Sequence, residues 1–480
     1  MTAAENAEGQ PGAPGAAGSP GAAGSPGADR APGADRAPGA DRVPGAFPPP
    51  HAAPPEALYV HVPFCVSLCP YCDFVVVAGS DARGPANRVV AFVAAVRREL
   101  ELRADILDRR WGPPGRFPTG GGIPGAADGG GSAVDPGGAG RPELSSLYLG
   151  GGTPSLLEAE DIAGIVGLVR GRFGLAADAE ITIEANPGPD ERGNAAALAA
   201  AGITRVSYGA QSLDDATLRG LGRRHRASDV VRAVDDARDG GIPSVNLDLL
   251  YDVPGGSLNG WMATLESALD LEPDHLSLYA LTLDDPDAEG LTGPTGDHLP
   301  LTRGARRWRD AARTGQDEDR AAAMYHHAVH RLAEAGFDGY EISNWARPGH
   351  ESRHNLAYWE RRPCEAVGPG AHAFDGLTRR WNAARLDAYL EALTPPAGGL
   401  GQLPPGGEES VDGPTAAAER VILGLRTARG IPAGAALEPP LADVFGWALA
   451  IELLHVTPDD RIVLTTRGRL LSNELFARLV

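Results

Sequence analysis

The stretch Tyr59-Val60-His61-Val62-Pro63-Phe64-Cys65-Val66-Ser67-Leu68-Cys69-Pro70-Tyr71-Cys72 decides how the rest of the chain is read. It opens in a short apolar run, 58–62, that reads as a buried strand. It then passes into three cysteines spaced C-x3-C-x2-C. The 480 residues hold only one further cysteine, Cys364. Three thiols within eight residues sit too close together for a disulfide framework and read as metal ligands in a reducing compartment. Three thiolates on one loop can cap three irons of a cubane cluster, leaving the fourth iron without a protein ligand. The alternative is a zinc site or a conventional cluster, with Cys364 as the missing ligand.

Working outward from that loop, strand-like and helical patterns alternate. Strands are expected at 146–149, 180–184, 205–208, 245–251 and 275–280, with helices at about 87–109, 158–171, 190–201, 228–240 and 258–271. With the strand at 58–62 this makes six strand–helix units in series. Right-handed crossovers would make their strands parallel. The expected fold class is α/β, a partial (β/α)6 TIM-like barrel over 56–285, with its site at the C-terminal strand ends. Past 285 the pattern changes. An extension is expected over 286–393, with a helix at about 318–335, and a Gly/Pro-rich linker at 394–414. A small C-terminal α+β, winged-helix-like domain follows at 415–480, with a helix near 416–427, a strand at 461–465 and a helix at 472–479. Residues 1–55 repeat GAAGSP and GADRAP with few apolar side chains, the composition of a disordered tail. Residues 112–142 read as a low-complexity insertion.

Lys plus Arg number 43 against 63 Asp plus Glu, a net charge of −20, and every basic side chain is arginine. Phosphates repel so acidic a chain, which argues against nucleic acid as a partner. No apolar run approaches the ~20 residues that span a bilayer, and no signal pattern opens the chain. The expected location is the cytoplasm.

Several further residues stand at expected strand ends. Gly150-Gly151-Gly152-Thr153-Pro154 ends the second strand, where glycines let a ligand approach the backbone and expose N–H groups. Glu184 ends the third, in Ile183-Glu184-Ala185-Asn186-Pro187; Gln211 follows the fourth, and Arg223 and Asp248 lie downstream. Tyr59-x-His61-x-Pro63-Phe64-Cys65-x3-Cys69-x-Tyr71-Cys72, joined to GGGTP, resembles the radical-SAM group that contains oxygen-independent coproporphyrinogen oxidase and the heme chaperones. The resemblance covers roughly 56–380. It implies a [4Fe–4S] cluster on Cys65, Cys69 and Cys72, its open iron chelated by S-adenosylmethionine. It also implies that Gly151, Gly152 and Thr153 contact the methionyl end, that Glu184 takes a ribose hydroxyl, and that Tyr59 and Ala280 touch the same molecule. Tyr71, Gln211, Arg223 and Asp248 match positions that line a second S-adenosylmethionine in the oxidase. On chemistry alone, Glu184 could be an ordinary strand-end acid, Arg223 and Asp248 a structural ion pair, and His61 a packing residue.

Two features separate the relatives. The oxidase carries a cysteine two residues after the third of the motif; here that position is Phe74. His354-Asn355-Leu356-Ala357-Tyr358-Trp359 resembles the HNxxYW signature of the HemW group, where it is tied to heme. His354 is therefore the candidate heme ligand, since imidazole can ligate iron and aromatic rings can cover a porphyrin. A structural histidine with satisfied nitrogens is the alternative. Cys364, unexpected in the run before Gly368-Pro369-Gly370-Ala371-His372, reads as a small buried hydrophobe, a second heme-side ligand or a reactive thiol. His372 and Gly368 would flank the cofactor pocket. Asp252 stands where the family commonly has glycine. The expected function is a heme chaperone delivering heme to respiratory hemoproteins, with no catalytic residue assigned and a homodimer left open. The alternatives are coproporphyrinogen oxidase and an electron-carrying iron–sulfur protein.

Overall fold

The computed structural model describes residues 50–79, 87–115, 140–283, 286, 290–395, 401–436 and 441–479. Most of the expected tail and of the 112–142 insertion lie outside these residues.

Six strands run parallel in the order β1 (Ala57–Val62), β2 (Leu144–Gly151), β3 (Leu175–Ala185), β4 (Arg205–Gln211), β5 (Ser244–Tyr251) and β6 (His275–Ala280). All six residues of β1 are buried, as a parallel strand covered on both faces requires. Leu58, Val60 and Val62 join the core formed with Phe92, Val96 and Leu100 of the helix Val89–Trp111. Tyr59 and Ala57 belong to a separate cluster on the opposite, concave face, because side chains alternate along a strand. Between the strands lie helices Ala159–Arg172, Ala195–Ala200, Ala227–Asp239 and Leu258–Leu269. Helix Ala227–Asp239 buries Val230, Ala233, Val234 and Ala237, the i, i+3, i+4, i+7 stripe of a helix with one face on a core. Helix Leu258–Leu269 starts where the Ser257 hydroxyl accepts the Gly260 N–H, satisfying one of the free first-turn donors.

The sheet continues past residue 285 at both edges. With β7 (Asp338–Gly339), β8 (Asn344–Ala346), β9 (Cys364–Val367), β10 (His372–Phe374), β11 (Thr378–Asn382) and β12 (Gly406–Ser410), the order is β12-β11-β10-β9-β1-β2-β3-β4-β5-β6-β8-β7. β9 pairs parallel with β1, and β8 pairs antiparallel with β6. The region expected as an extension thus supplies both flanks of the barrel sheet. The expected linker 394–414 carries β12. Its composition hid a strand because the glycines have a packing reason: a Cβ on Gly407 would fall 2.3 Å from the Trp381 ring.

The C-terminal unit has its own core of Val421, Leu425, Ile431, Phe445, Leu454, Ile462 and Leu475. Helix Gly413–Arg426 leads into a three-stranded antiparallel sheet in the order Ile431–Pro432, Arg461–Leu464, Leu454–Val456. The closing helix expected at 472–479 is present as Ser472–Phe476, preceded by a further short helix, Thr466–Leu470. Among the described residues no helix is long and apolar enough to cross a membrane.

Candidate functional site

Strand β1 delivers the cysteine loop to the C-terminal edge of the sheet. Cys65 lies in a two-residue strand, Phe64–Cys65, paired with Val77–Ala78. A turn closes when the Cys72 N–H donates to the Cys69 carbonyl at 3.2 Å. The loop's carbonyls converge on one guanidinium. Arg309 Nε donates to Pro70 O at 3.1 Å, and its Nη2 to Tyr71 O at 2.9 Å and Cys72 O at 3.0 Å. Arg309 is 2 % exposed. Donors also face the sulfurs: Thr153 Oγ1 lies 3.6 Å from Cys65 Sγ, and Arg223 Nη1 3.4 Å from Cys69 Sγ. Burial pushes the Cys65 thiol up to about 11 and the Cys72 thiol well above its ordinary value. Metal loading must therefore displace protons from both. Cys364 is elsewhere, in the concave cluster with Ala57, Tyr59 and Ala366, its Sγ 3.9 Å from the Tyr358 hydroxyl. Burial raises it to about 12. It behaves as a small buried hydrophobe, so the loop offers three thiols. That donor set fits a cubane with one iron left open.

The glycine turn is tied into the protein by its backbone. Gly151 N–H donates to Glu184 Oε2 at 2.8 Å, Gly152 N–H to Val62 O at 2.8 Å and Thr153 N–H to Phe64 O at 2.7 Å. These three amides are bonded within the protein. The glycines are required by the cysteine loop itself. A Cβ on Gly152 would lie 2.5 Å from Phe64 O, and one on Gly151, at φ +108°, would lie 2.4 Å from the His61 ring. His61 accepts from the Tyr59 hydroxyl at Nδ1 (3.0 Å) and donates from Nε2 to Val75 O (2.8 Å). Burial lowers it to about 4, so it is a neutral packing residue that ties β1 to the end of the loop.

Glu184 accepts from the Tyr148 hydroxyl at 2.7 Å as well as from Gly151. Burial raises its carboxyl to about 7 against the opposing effect of the Tyr148 bond. Tyr148, Tyr59 and Glu184 all meet at Gly150, where an added Cβ would come within 2.7, 3.0 and 3.1 Å of them. Gln211 adopts φ +64°, rare for a side-chain-bearing residue. Its amide, the Arg223 guanidinium and the Asn186 carboxamide all lie within 3.4 Å of where a Cβ on Gly209 would stand. Arg223 donates to Asn186 Oδ1, to Gly209 O at 2.8 Å and to the Tyr71 hydroxyl at 3.4 Å. It makes no ion pair with Asp248 among the described residues. Asp248 instead accepts from Ser207 at 3.0 Å and Asn246 at 2.7 Å, and burial raises its carboxyl. Ala280 ends β6 paired with Tyr251. The structure thus gathers Tyr71, Gln211 and Arg223 beside Cys69, and Tyr59 and Glu184 beside the glycine turn. Asp248 lies two residues nearer the C-terminal end of its strand than Asn246, through which a polar network continues to His275 at 2.6 Å.

His354, the candidate heme ligand, lies in the interior. It is 1 % exposed. Its Nδ1 is hydrogen-bonded to Ser146 Oγ at 3.0 Å and its Nε2 to the Tyr358 hydroxyl at 3.1 Å. The ring stacks on Tyr148, centroids 5.0 Å apart and planes 29° apart. Burial lowers it to about 3. In this arrangement both nitrogens have protein partners. His372, by contrast, is partly exposed. Its Nε2 is 3.0 Å from Asp297 and its ring lies over Trp381. Gly368 packs on His61, where a Cβ would be 2.3 Å from His61 O. Asp252 has φ +52°, which accounts for the family's glycine there, and its carboxylate receives Arg320.

Sequence reasoning missed Arg309, Asn186 and Tyr148. Asn186 lies in the quoted Ile183–Pro187 run and was within reach. Arg309 sits in the helix Arg303–Arg313, whose five arginines look like a solvated face.

A parallel sheet whose first strand ends in a three-thiol loop, braced by a glycine turn, defines a radical-SAM protein. The Radical SAM superfamily matches at residues 138–268. Heme chaperone HemW of Mycobacterium tuberculosis is 36% identical over 425 residues, which cover 88% of this chain and 94% of the relative. The Bacillus subtilis protein of that name is 26% identical over 430 residues, 88% of this chain and 98% of its own. Coproporphyrinogen III oxidase of Escherichia coli has the same fold, with a TM-score of 0.66 at 21% identity, covering 89% of this chain and 90% of the oxidase. The chain belongs to the HemW family. Membership of the radical-SAM class implies a [4Fe–4S] cluster and S-adenosylmethionine.

Proposed function

We propose that this protein is a cytoplasmic heme chaperone. It binds a [4Fe–4S] cluster on Cys65, Cys69 and Cys72, S-adenosylmethionine and heme, and passes the heme to respiratory hemoproteins. The observation that carries this reading is the 36% identity across 94% of the length of a protein named as a heme chaperone. Phe74, where the oxidase has a cysteine, agrees with it.

When bound, the cluster supplies an open iron for the amino and carboxylate groups of S-adenosylmethionine. The chain's own residues do the rest. Arg309 holds the loop carbonyls, and Thr153 and Arg223 present donors to the sulfurs. Glu184, oriented by Tyr148 and the Gly151 amide, offers a carboxylate to a ribose hydroxyl. Heme transfer is ligand exchange and needs no radical.

The second reading, oxidative decarboxylation of coproporphyrinogen, draws on the gathering of Tyr71, Gln211 and Arg223 beside Cys69. Anaerobically reconstituted protein given coproporphyrinogen, S-adenosylmethionine and a reductant separates the two. The chaperone reading expects stoichiometric heme binding and no vinyl product; many turnovers to vinyl product would defeat it. An electron carrier would show no affinity for S-adenosylmethionine in a binding titration.

A further inference from the structure

The HNxxYW segment reaches the cofactor shell by a route that does not pass through iron. It forms the helix Arg353–Trp359, seated against the concave face of the sheet near the start of the strands. Glu180 of β3 anchors its first turn, accepting the Ser352 hydroxyl at 3.3 Å and the backbone N–H groups of Arg353 at 2.9 Å and His354 at 3.3 Å. At its other end the Arg426 guanidinium lies 4.4 Å from the centre of the Trp359 ring. Between these anchors His354 is fixed on both sides, by Ser146 and by Tyr358. One face of its ring covers Tyr148, a residue of the same strand as Ser146. The Tyr148 hydroxyl donates to Glu184.

We propose that His354 and Tyr358 are positioning residues: they hold the Tyr148 ring so that its hydroxyl orients the Glu184 carboxylate toward S-adenosylmethionine, and His354 is not an axial ligand of heme. The inference rests on reading Glu184 as the ribose acceptor. Three observations carry it. The chain of contacts from the motif to Glu184 is unbroken, His354 to Tyr148 by stacking and Tyr148 to Glu184 by a 2.7 Å hydrogen bond. Both imidazole nitrogens are already satisfied, so iron ligation would break the bond to Ser146 or Tyr358 and expel a buried ring. The Tyr148 ring lies between two others, His354 with centroids 5.0 Å apart and Tyr59 with centroids 6.0 Å apart. A shift of the His354 ring therefore transmits to the carboxylate rather than relaxing into free space.

The test measures two affinities on the anaerobically reconstituted full-length chain, for S-adenosylmethionine and for heme, with iron and sulfide content fixing the cluster occupancy of each sample. Tyr148→Phe keeps the stacked ring and removes only the hydroxyl. His354→Phe keeps a flat ring over Tyr148 without an imidazole, and His354→Ala removes both. The expected result is a Kd for S-adenosylmethionine raised about tenfold in Tyr148→Phe and His354→Ala, the order expected for one lost hydrogen bond to a charged group, and substantially restored in His354→Phe. Heme affinity and the heme Soret spectrum stay those of wild type in all three. An unchanged Kd for S-adenosylmethionine in Tyr148→Phe overturns the proposal, even if the His354 variants fail to fold. So does loss of the heme spectrum in His354→Phe at wild-type cluster content. A wild-type protein that binds no heme refutes the chaperone reading and leaves the positioning role to be judged on the S-adenosylmethionine data alone.

Discussion

Replacing Arg309 by methionine removes the clamp from the cysteine loop while keeping the apolar stem of the side chain. In the native structure one guanidinium serves three carbonyls, those of Pro70, Tyr71 and Cys72, at 3.1, 2.9 and 3.0 Å. Hydrogen bonds with a charged partner contribute ~1.5–3 kcal/mol each. The three share one donor group, and the residues that carry the carbonyls are partly exposed, so water compensates much of the loss. A total of about 2–3 kcal/mol is therefore reasonable, equivalent to a 30- to 150-fold fall in the population of the ordered loop, at about 1.4 kcal/mol per tenfold. The helix Arg303–Arg313 itself stays anchored, because Trp308 Nε1 donates to Gly220 O at 3.2 Å. The assay is the rate of cluster loss from anaerobically reconstituted protein in the presence of an iron chelator, followed by the cluster's visible absorbance. Arg309→Met should lose its cluster at least tenfold faster than wild type, with the thermal midpoint of the apoprotein little changed. Equal rates of cluster loss would refute the reasoning that the clamp orders the loop.

Other substitutions probe the same shell. Gly152→Ala places a methyl 2.5 Å from the Phe64 carbonyl oxygen and 2.9 Å from that of Val62, both backbone. It should destabilise the protein by about 1–3 kcal/mol and lower cluster content, read by thermal denaturation and iron analysis. Cys364→Ala, in contrast, should retain full cluster content, since that thiol lies in the concave apolar cluster; iron analysis checks this. With the Glu184 carboxyl raised to about 7 by burial, its acceptor form is lost as pH falls through 7. Affinity for S-adenosylmethionine should then weaken about tenfold per pH unit below that point, and Glu184→Gln should flatten the profile in an equilibrium titration.

The parallel sheet was legible because each strand carries an apolar row on one face, as in Val245, Leu247 and Leu249, and its helices carry one stripe, as in Val230, Ala233, Val234 and Ala237. Local pattern sufficed there. It did not suffice for β9 and β8, which join β1 and β6 from far along the chain, since pairing partners leave no mark on a short strand. β12 was hidden by glycines that admit Trp381. At the site, the three thiols and the residues that gather round them were readable because their spacing is set by one loop and by strand ends. The glycine turn was readable from its composition; that its amides bond to Val62, Phe64 and Glu184, and so brace the loop, was not. Arg309 was unreadable because nothing in an arginine-rich helix says which guanidinium turns inward. His354 was ambiguous in sequence, and burial with two satisfied nitrogens gives it an interior role.

The central claim is that Cys65, Cys69 and Cys72 hold a cubane with one iron open to S-adenosylmethionine. Electron–nuclear double resonance of the reduced, reconstituted protein with S-adenosylmethionine labelled in its amino nitrogen and carboxylate oxygen tests it directly. The account predicts hyperfine coupling from both labels to a single iron site, abolished in Cys69→Ala. A fully loaded cluster with no coupling to either label, or with four protein donors, would contradict it.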